Sequence, residues 1–532
     1  MKARAPASER AQRWSQLREG RRWDLVVIGG GATGLGVALD AAARGLSVAC
    51  VEANDFAKGT SSRATKLVHG GVRYLAQGNV ALVREALHER ATLLANAPHL
   101  AQRLPFVMPS YRVWERLFYG TGLKMYDALA GARGLGGTEF LSAQRARTLL
   151  PGVQAKGLVG GVRYWDGQFD DARLALALAR TAQREGAVVL NHCSAISLQR
   201  DSARVTGVTV RDNETQERAV LQAGCVINAT GVWVDAVRDM DRDPSAPKRP
   251  ALVAPSQGVH LVVDRKFCPG DHALLVPKTA DGRVLFAVPW LGKTILGTTD
   301  TPRDDLSEEP TPFADEVAFI LREAGTYLAR APTRADVRSV WVGLRPLVRP
   351  SGDDGENTKA LSREHTVLVG RSGLVTVTGG KWTTYRAMAE DVLEQCMARK
   401  LLPRRPHGAT VKLPLVGAAP GRPLCEPPGE HLYGSEADTL RALPGADTWL
   451  WRDGEGGLSE AMVRYAVRHE MARTLEDVLA RRCRVLFLDA AQAAELIEPV
   501  SALLSDELQR DVSKAERSAF KKLALQYRTL PD

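Results

Sequence analysis

Residues 24 to 52, DLVVIGGGATGLGVALDAAARGLSVACVE, restrict the fold more than any other stretch of the chain. The apolar run Asp24 to Ile28 predicts a buried parallel strand, a helix follows a glycine turn, and Ser47 to Val51 predict a second strand. Gly29, Gly31 and Gly34 fit G-x-G-x-x-G at the mouth of that helix, the context in which the motif binds a dinucleotide. The first glycine permits the tight turn, the second lets a pyrophosphate approach the backbone, and the third lets helix and strand pack closely. The helix N-terminus then offers the phosphates free NH groups and partial positive charge. Glu52 ends the second strand, where its carboxylate can accept from both ribose hydroxyls and would repel a ribose phosphate.

FAD and NAD share this fingerprint. TSSRATKLVHGGVRYL, residues 60 to 75, lies where a flavin's pyrophosphate and ring would continue from the first βαβ unit. It sets Arg63, Lys66, His69, Arg73 and Tyr74 among glycines and hydroxyls, a pattern that a solvated loop alone could also carry.

The segments VIGGGATGLG, GTSSRATKLVHGGVRYL, FDDARL, VINATGVWVD, ILGTTDTP, VGLRPLVRP and TGGKWTTYR occur in that order. Together they resemble the FAD-dependent, quinone-linked glycerol-3-phosphate dehydrogenase family over most of residues 24 to 395, with a weaker helical likeness beyond. The SS-x-x-x-KL-x-HGG-x-RYL pattern discriminates best, because generic amino-acid oxidases share the glycine turn without this continuation.

The resemblance implies an α/β fold: a Rossmann-like FAD-binding domain, an antiparallel-sheet substrate domain and a helical C-terminal domain. The expected boundaries are 1–23 for a basic arm, 24–78, 151–240 and 341–398 for a discontinuous FAD-binding domain, 79–150 and 241–340 for the substrate or cap domain, and 399–532 for a linker and helical domain. FAD is the implied cofactor. Its implied contacts are Gly29, Gly31, Gly34 and Glu52, then Thr60, Ser61, Ser62, Lys66, Leu67, His69, Gly70 and Gly71, and finally Thr230, Gly231, Gly380 and Lys381.

The implied substrate, sn-glycerol 3-phosphate, is a small dianion, so a dry site must replace its hydration with fixed cations and donors. Arginine grips phosphate oxygens with a planar fork, whereas lysine supplies a point charge. The family pattern places Arg345, Arg363 and Lys381 in that work, with Arg73, Tyr74 and Thr384 beside them; any one alone reads as an ordinary surface residue. Oxidation at C2 needs a hydride acceptor and a base. His69 is the expected base, with flavin contact as its other reading, and Arg345 is expected to stabilise developing negative charge as well.

The rest of the chain adds limits. Its 532 residues suggest two or three domains, and a net charge of +10 admits nucleic acid, an anionic membrane surface or an anionic substrate as partner. No nucleic-acid motif appears and the basic residues are dispersed, so nucleic acid is not expected. Seven scattered cysteines without a C-x-x-C pair argue for a reduced compartment, and neither they nor the histidines suggest a metal site. No stretch reaches the ~18 apolar residues that span a bilayer, so membrane contact is expected to be peripheral.

The N-terminal 23 residues carry seven basic residues against Glu9 and Glu19 and lack a secretory core; a frayed, solvated arm is expected there, with a short interfacial helix carrying Trp14 and Leu17 as the other reading. Helices are predicted over 79–96 and 171–185, and strands at 223–231 and through 251–300, with a hairpin at Leu291 and Gly292. His88 and His99 are read as polar residues near helix ends, and His260 as a satisfied sheet residue. Proline-rich 399–430 reads as a linker, followed by helices capped by Ser459 and Thr474 and devoted to packing, oligomer contact or membrane association.

The expected activity is oxidation of sn-glycerol 3-phosphate to dihydroxyacetone phosphate by hydride transfer to flavin N5, with electrons passed to a membrane quinone. An oxidase using O2 and a catalytically silent flavin module are the alternatives. The expected location is cytoplasmic, peripheral on the inner face of the cytoplasmic membrane, with a homodimer left open.

Overall fold

The computed structural model describes residues 6–71, 79–242, 245, 247, 249–279, 282–349 and 365–532. The strand Arg22–Ile28, the helix Ala32–Ala43 and the strand Val48–Val51 form the predicted βαβ unit, with Leu25 to Ile28 paired in parallel to Val48 to Val51. The sheet continues in the order His365–Val369, Val375–Gly379, Arg218–Asn228, Arg22–Ile28, Val48–Val51, Val188–Leu190. The strand predicted at 223–231 therefore does return beside the first one. Both faces are covered, as a parallel sheet requires. Leu25 and Val27 face the helices Ala32–Ala43, Asp171–Arg184 and Tyr385–Ala398, while Val26 and Ile28 face an antiparallel pair, Cys193–Asp201 and Arg204–Asp212.

That second face corrects the expected N-terminal arm. Pro6–Arg18 is a helix, and its Trp14 and Leu17 are buried in the same cluster as Val26 and Ile28. Arg10 Nη1 donates to Asn191 O at 2.8 Å and Nη2 to Asp212 Oδ1 at 2.8 Å, while Trp14 Nε1 donates to Glu217. Arg10 and Arg18 are neutralised by acids far along the chain, so the segment docks.

The second sheet is mixed. Among the described residues it runs Thr301–Pro302, Val253–Asp264, Lys293–Gly297, Leu285–Trp290, Ala273–Val276, Ala101–Ser110, Gly160–Phe169, Leu67–Val68, with Val337–Val348 paired to Val253–Asp264. Leu291 (φ 43°) and Gly292 (φ 79°) form the two-residue hairpin, the positive φ pair that matches strand twist. Two expected boundaries move. Gly160–Phe169 pairs along its whole length with Ala101–Ser110 and so belongs to this sheet, and position 341 falls inside the strand Val337–Val348.

The predicted linker has no helix or strand between Arg399 and Gly429, yet it is packed as a strap. Leu402 and Leu415 enter the core under the parallel sheet, Leu424 enters the C-terminal core, and Leu415 N donates to Asn96 O. The helices beyond cover the remaining face of the second sheet, with Trp290 and Trp341 sharing a core with Leu486 and Phe487. Thr474 caps as expected, exchanging bonds with Asp477, although the helix it opens widens to π winding over Asp477–Arg482. His99 departs from its reading. It is 2 % exposed, set against Gly417 of the strap and Gly434 just beyond it.

Candidate functional site

Arg22–Ile28, Val48–Val51, Arg218–Asn228 and Val375–Gly379 end at one edge of the parallel sheet, and a cleft of about 1420 Å³, counting space open to solvent, lies beyond them. This is the crevice where doubly wound sheets bind ligands. Gly29 has φ 116°, and a Cβ there would lie 2.5 Å from Ala229 O. At Gly34 a Cβ would lie 1.9 Å from Gly29 O, the close helix–strand approach predicted for the third glycine. At Gly31 it would point into the cradle, 3.0 Å from Ser61 Oγ, where a pyrophosphate has to pass.

Ser61 Oγ accepts from Ala32 N at 2.9 Å, tying the 60–62 turn to the helix mouth. Glu52 Oε2 accepts from Gly30 N at 2.6 Å and Oε1 from Asn54 N at 2.9 Å. Burial pushes its carboxyl up, and those two NH donors oppose the shift. Thr60, Thr230, Gly231, Gly380 and Lys381 line the same cleft. Two tryptophans absent from the sequence reading join them. Trp382 Nε1 donates to Ser61 O at 3.0 Å, and Trp233 sits over Gly59. The signal for Trp233 was its place just after the small-residue turn of VINATGVW.

The glycine cradle, the helix N-terminus and a carboxylate at the ribose position fit a dinucleotide cofactor.

Ser62, Lys66, Leu67, His69, Gly70 and Gly71 stand apart from the residues lining that cleft. Lys66 is fully buried beneath it. Its Nζ donates to Ser62 O at 2.7 Å and Asp171 Oδ2 at 2.7 Å, within 5.3 Å of the ring centroids of Trp290, Trp341 and Phe487. Burial lowers Lys66 to about 7, with the Asp171 charge opposing. Arg484, from the C-terminal region, donates to Ser62 O at 2.9 Å and Asp171 Oδ1 at 3.1 Å. Leu67 is a buried strand residue, and Gly70 N donates to Tyr126 Oη at 2.8 Å. Gly71 takes φ 79°, and the His69 carbonyl accepts from Thr383 Oγ1.

On the second sheet, Arg345 pairs across from Ser256, and its guanidinium lies over Gly258, where a Cβ would meet Nη2 at 2.3 Å. Nη1 donates to Gln257 O at 3.2 Å and Asp300 Oδ1 at 3.2 Å, and Nη2 to Thr299 O at 3.0 Å. His260, two residues beyond Gly258, shares this face by strand alternation. Its ring stacks on Trp341 and its Nε2 bonds Thr65 Oγ1 at 2.9 Å, but Nδ1 has no hydrogen-bond partner among the described groups. Burial first, then the charges of Lys66 and Arg345, hold the imidazole well below its ordinary value and therefore neutral. The expectation of a satisfied sheet histidine accounts for only one of its nitrogens.

Thr384 is buried, and its hydroxyl turns back to Lys381 O. Arg73, Tyr74 and Arg363 lie outside the described residues.

The C-terminal region also reaches the cleft's rim. Asp55, three residues past Glu52, is bound by Arg481 and Arg482 and accepts from Asn191 Nδ2, and His192 Nε2 lies 2.9 Å from Asp477 Oδ2. Asp55, His192 and Asp477 converge closely enough to suggest a cation site, but the two guanidiniums already supply the positive charge.

The sequence of residues 24–386 matches the family of FAD-dependent oxidoreductases, and residues 430–515 match the C-terminal domain of alpha-glycerophosphate oxidase. The chain is 40 % identical over 536 residues to the mitochondrial glycerol-3-phosphate dehydrogenase of Arabidopsis thaliana, covering 93 % of this chain and 84 % of that one. It is 41 % identical over 548 residues to the mitochondrial glycerol-3-phosphate dehydrogenase of Bos taurus, covering 96 % and 74 %. The solved glycerol-3-phosphate dehydrogenase of Bacillus halodurans, in complex with FAD, superposes with a TM-score of 0.76 at 29 % identity over 98 % of each chain. The L-alpha-glycerophosphate oxidase of Mycoplasma pneumoniae, also with FAD bound, shares the fold at TM-score 0.56 and 17 % identity, covering 74 % of this chain and 98 % of that one.

Proposed function

The chain belongs to the FAD-dependent glycerol-3-phosphate dehydrogenases, and from that membership we propose that it oxidises sn-glycerol 3-phosphate to dihydroxyacetone phosphate, with electrons passed to a membrane quinone. FAD is the cofactor; Gly29, Gly31 and Glu52 would hold its pyrophosphate and ribose, with Thr230, Gly231 and Gly380 along the cleft. When bound, it supplies a two-electron acceptor, the flavin N5, for the hydride leaving C2.

One juxtaposition carries the substrate reading: the Arg345 guanidinium over Gly258, beside the neutral His260, on one face of one sheet. Arg345 sets a fixed positive charge toward the phosphate, its guanidinium held in place by two carbonyls and Asp300. His260, whose Nε2 bonds Thr65 Oγ1 and whose Nδ1 has no partner among the described groups, is one histidine to be tested as the base for the C2 hydroxyl proton. His69 remains the other histidine to be tested in that role. Lys381, which lines the cleft, supplies a second cation. We place the enzyme peripherally on the inner face of the cytoplasmic membrane; among the described residues no helix is long and apolar enough to cross a membrane.

The match of residues 430–515 to an oxidase domain favours O2 as the second reading of the acceptor. Anaerobic turnover of the FAD-loaded enzyme, with glycerol 3-phosphate and a soluble quinone analogue, separates the two. Fast anaerobic reduction of the quinone is expected; turnover only in the presence of O2 assigns an oxidase. Failure to bind FAD overturns both.

A further inference from the structure

The two carbonyls that hold Arg345, Gln257 O and Thr299 O, belong to residues whose side chains meet on one buried carboxylate. Glu316, 4 % exposed on the helix Ala314–Tyr327, accepts from Gln257 Nε2, from Thr299 Oγ1 at 2.8 Å and from Thr301 Oγ1 at 2.6 Å. A fourth bond, from Phe313 N at 3.0 Å, is the ordinary return bond of a helix N-terminus. A buried carboxylate is costly unless donors meet it. Capping needs only the fourth of these donors, and the other three come from the wall that carries Arg345.

Strand alternation puts Glu316 and the substrate on opposite faces of the second sheet. Along Val253–Asp264, Gly258 and His260 share the face of Arg345, whereas Val259, Leu261 and Val263 pack with Val317 and Ile320 of the helix. Gln257 turns to the helix, and so does Thr301, its neighbour across the strand pair. Thr299 and Thr301 reach Glu316, while Asp300 between them points the other way, to Arg345 and Ser256 Oγ. One carboxylate thus pins both segments from behind. It also sets their polarity, because a carboxylate only accepts. Gln257 gives it the amide NH2 and keeps Oε1 for Arg303 Nη1, and the Thr299 hydroxyl keeps a lone pair for Val259 N at 3.0 Å.

We propose that Glu316 is a positioning residue for Arg345. From behind the sheet it fixes the Gln257 and Thr299 carbonyls that aim the guanidinium, and so supports selection of a phosphorylated substrate that it does not touch. This rests on the proposed role of Arg345 in holding the phosphate. A helix cap alone would stabilise the fold and leave substrate affinity where it was.

The test uses the FAD-loaded full chain. Steady-state rates are taken with glycerol 3-phosphate and a soluble quinone analogue, and calorimetry measures binding of dihydroxyacetone phosphate to the oxidised enzyme. Glu316→Gln keeps the shape but turns one acceptor into a donor. It should raise KM and the Kd of dihydroxyacetone phosphate roughly two- to tenfold, the worth of one hydrogen bond, with kcat changed less. In an Arg345→Met background the same substitution should change kcat/KM by less than about twofold, because its route to the substrate is gone. Glu323→Gln, at an equally buried carboxylate about two turns along the same helix, should behave as the parent. Melting and FAD content show that each variant is folded. If Glu316→Gln does not fold, Thr301→Val takes its place, removing one of the hydroxyl donors at a half-buried position, with a smaller rise in KM and Kd expected. Unchanged KM and Kd, while Arg345→Met impairs both, overturn the proposal and leave the proposed function standing. Equal losses with and without Arg345 also overturn it, since they mark a merely structural effect. If Arg345→Met itself alters neither constant, the placement of Arg345 fails and takes this proposal with it.

Discussion

Replacing Arg345 with methionine separates substrate recognition from flavin binding. The side chain is 26 % exposed and outside the cofactor cleft, so Arg345→Met keeps most of the buried length while removing the charge and the fork. Two carbonyls, Gln257 O and Thr299 O, lose a donor at 3.0 to 3.2 Å. At about 0.5 to 1.5 kcal/mol for each such bond, the folded state should lose about 1 to 3 kcal/mol. Catalysis should suffer more specifically. One hydrogen bond between a charged donor and the phosphate is worth about 1.5 to 3 kcal/mol, or roughly 10- to 150-fold in kcat/KM. The loss grows if Arg345 also stabilises the alkoxide forming beside His260. Steady-state rates with a soluble acceptor should show that loss for glycerol 3-phosphate and a smaller one for glycerol, with FAD per chain unchanged. Arg345→Lys should recover only part, since a point charge cannot reproduce two parallel bonds. Full activity and unchanged preference for glycerol 3-phosphate at normal FAD content would refute the placement.

Glu52→Arg should lower FAD retention, because it puts a cation where ribose hydroxyls need an acceptor and frees Gly30 N and Asn54 N; chromatography of released flavin measures it, and normal retention removes Glu52 from the cofactor site. Burial lowers His99 to about 3, whereas the unfolded chain takes up that proton below about 6.5, so stability should fall as pH drops through that window, by up to about 1.4 kcal/mol per unit; urea midpoints at pH 6.5 and 5 should converge in His99→Gln, and an unchanged difference refutes the assignment. Arg482→Met leaves Asp55 with less compensation in a fully buried setting and should cost about 3 to 5 kcal/mol, loosening FAD along with the C-terminal helices; a melting temperature within a degree of the parent's would show the pair to be idle.

The parts of the fold legible in sequence were those whose signal is local. The βαβ unit needs only its strands, its glycines and Glu52. The Leu291–Gly292 hairpin needs only two residues with positive φ between apolar runs, and Thr474 caps Asp477 within one turn. The N-terminal helix was misread because its determinants are distant: Arg10 is neutralised by Asp212, and Trp14 donates to Glu217 and packs on the far face of the sheet. Seven basic residues look solvated until those partners are known. Sheet membership is illegible for a related reason, since a strand such as Gly160–Phe169, GGVRYWDGQF, does not say in its own sequence which sheet it joins.

The site divides along the same line. Its cofactor half lies in contiguous motifs, from which Gly29, Gly31, Glu52, Thr60, Ser61, Thr230, Gly231, Gly380 and Lys381 line the cleft. The proposed substrate half depends on register: only the pairing of Val253–Asp264 with Val337–Val348 sets Arg345, Gly258 and His260 on one face. Lys66 was drawn toward the cofactor by its motif, but Asp171 and Ser62 O fix it in the interior, and the C-terminal Arg484 bonds the same Asp171 across 313 residues. Each buried cation of this kind has an acid beside it, as in Lys66–Asp171, Arg90–Asp166, Arg173–Glu470 and Arg386–Glu89. Such pairs cancel, so the net charge of +10 belongs to the more exposed groups, and a total does not say where on the surface it acts.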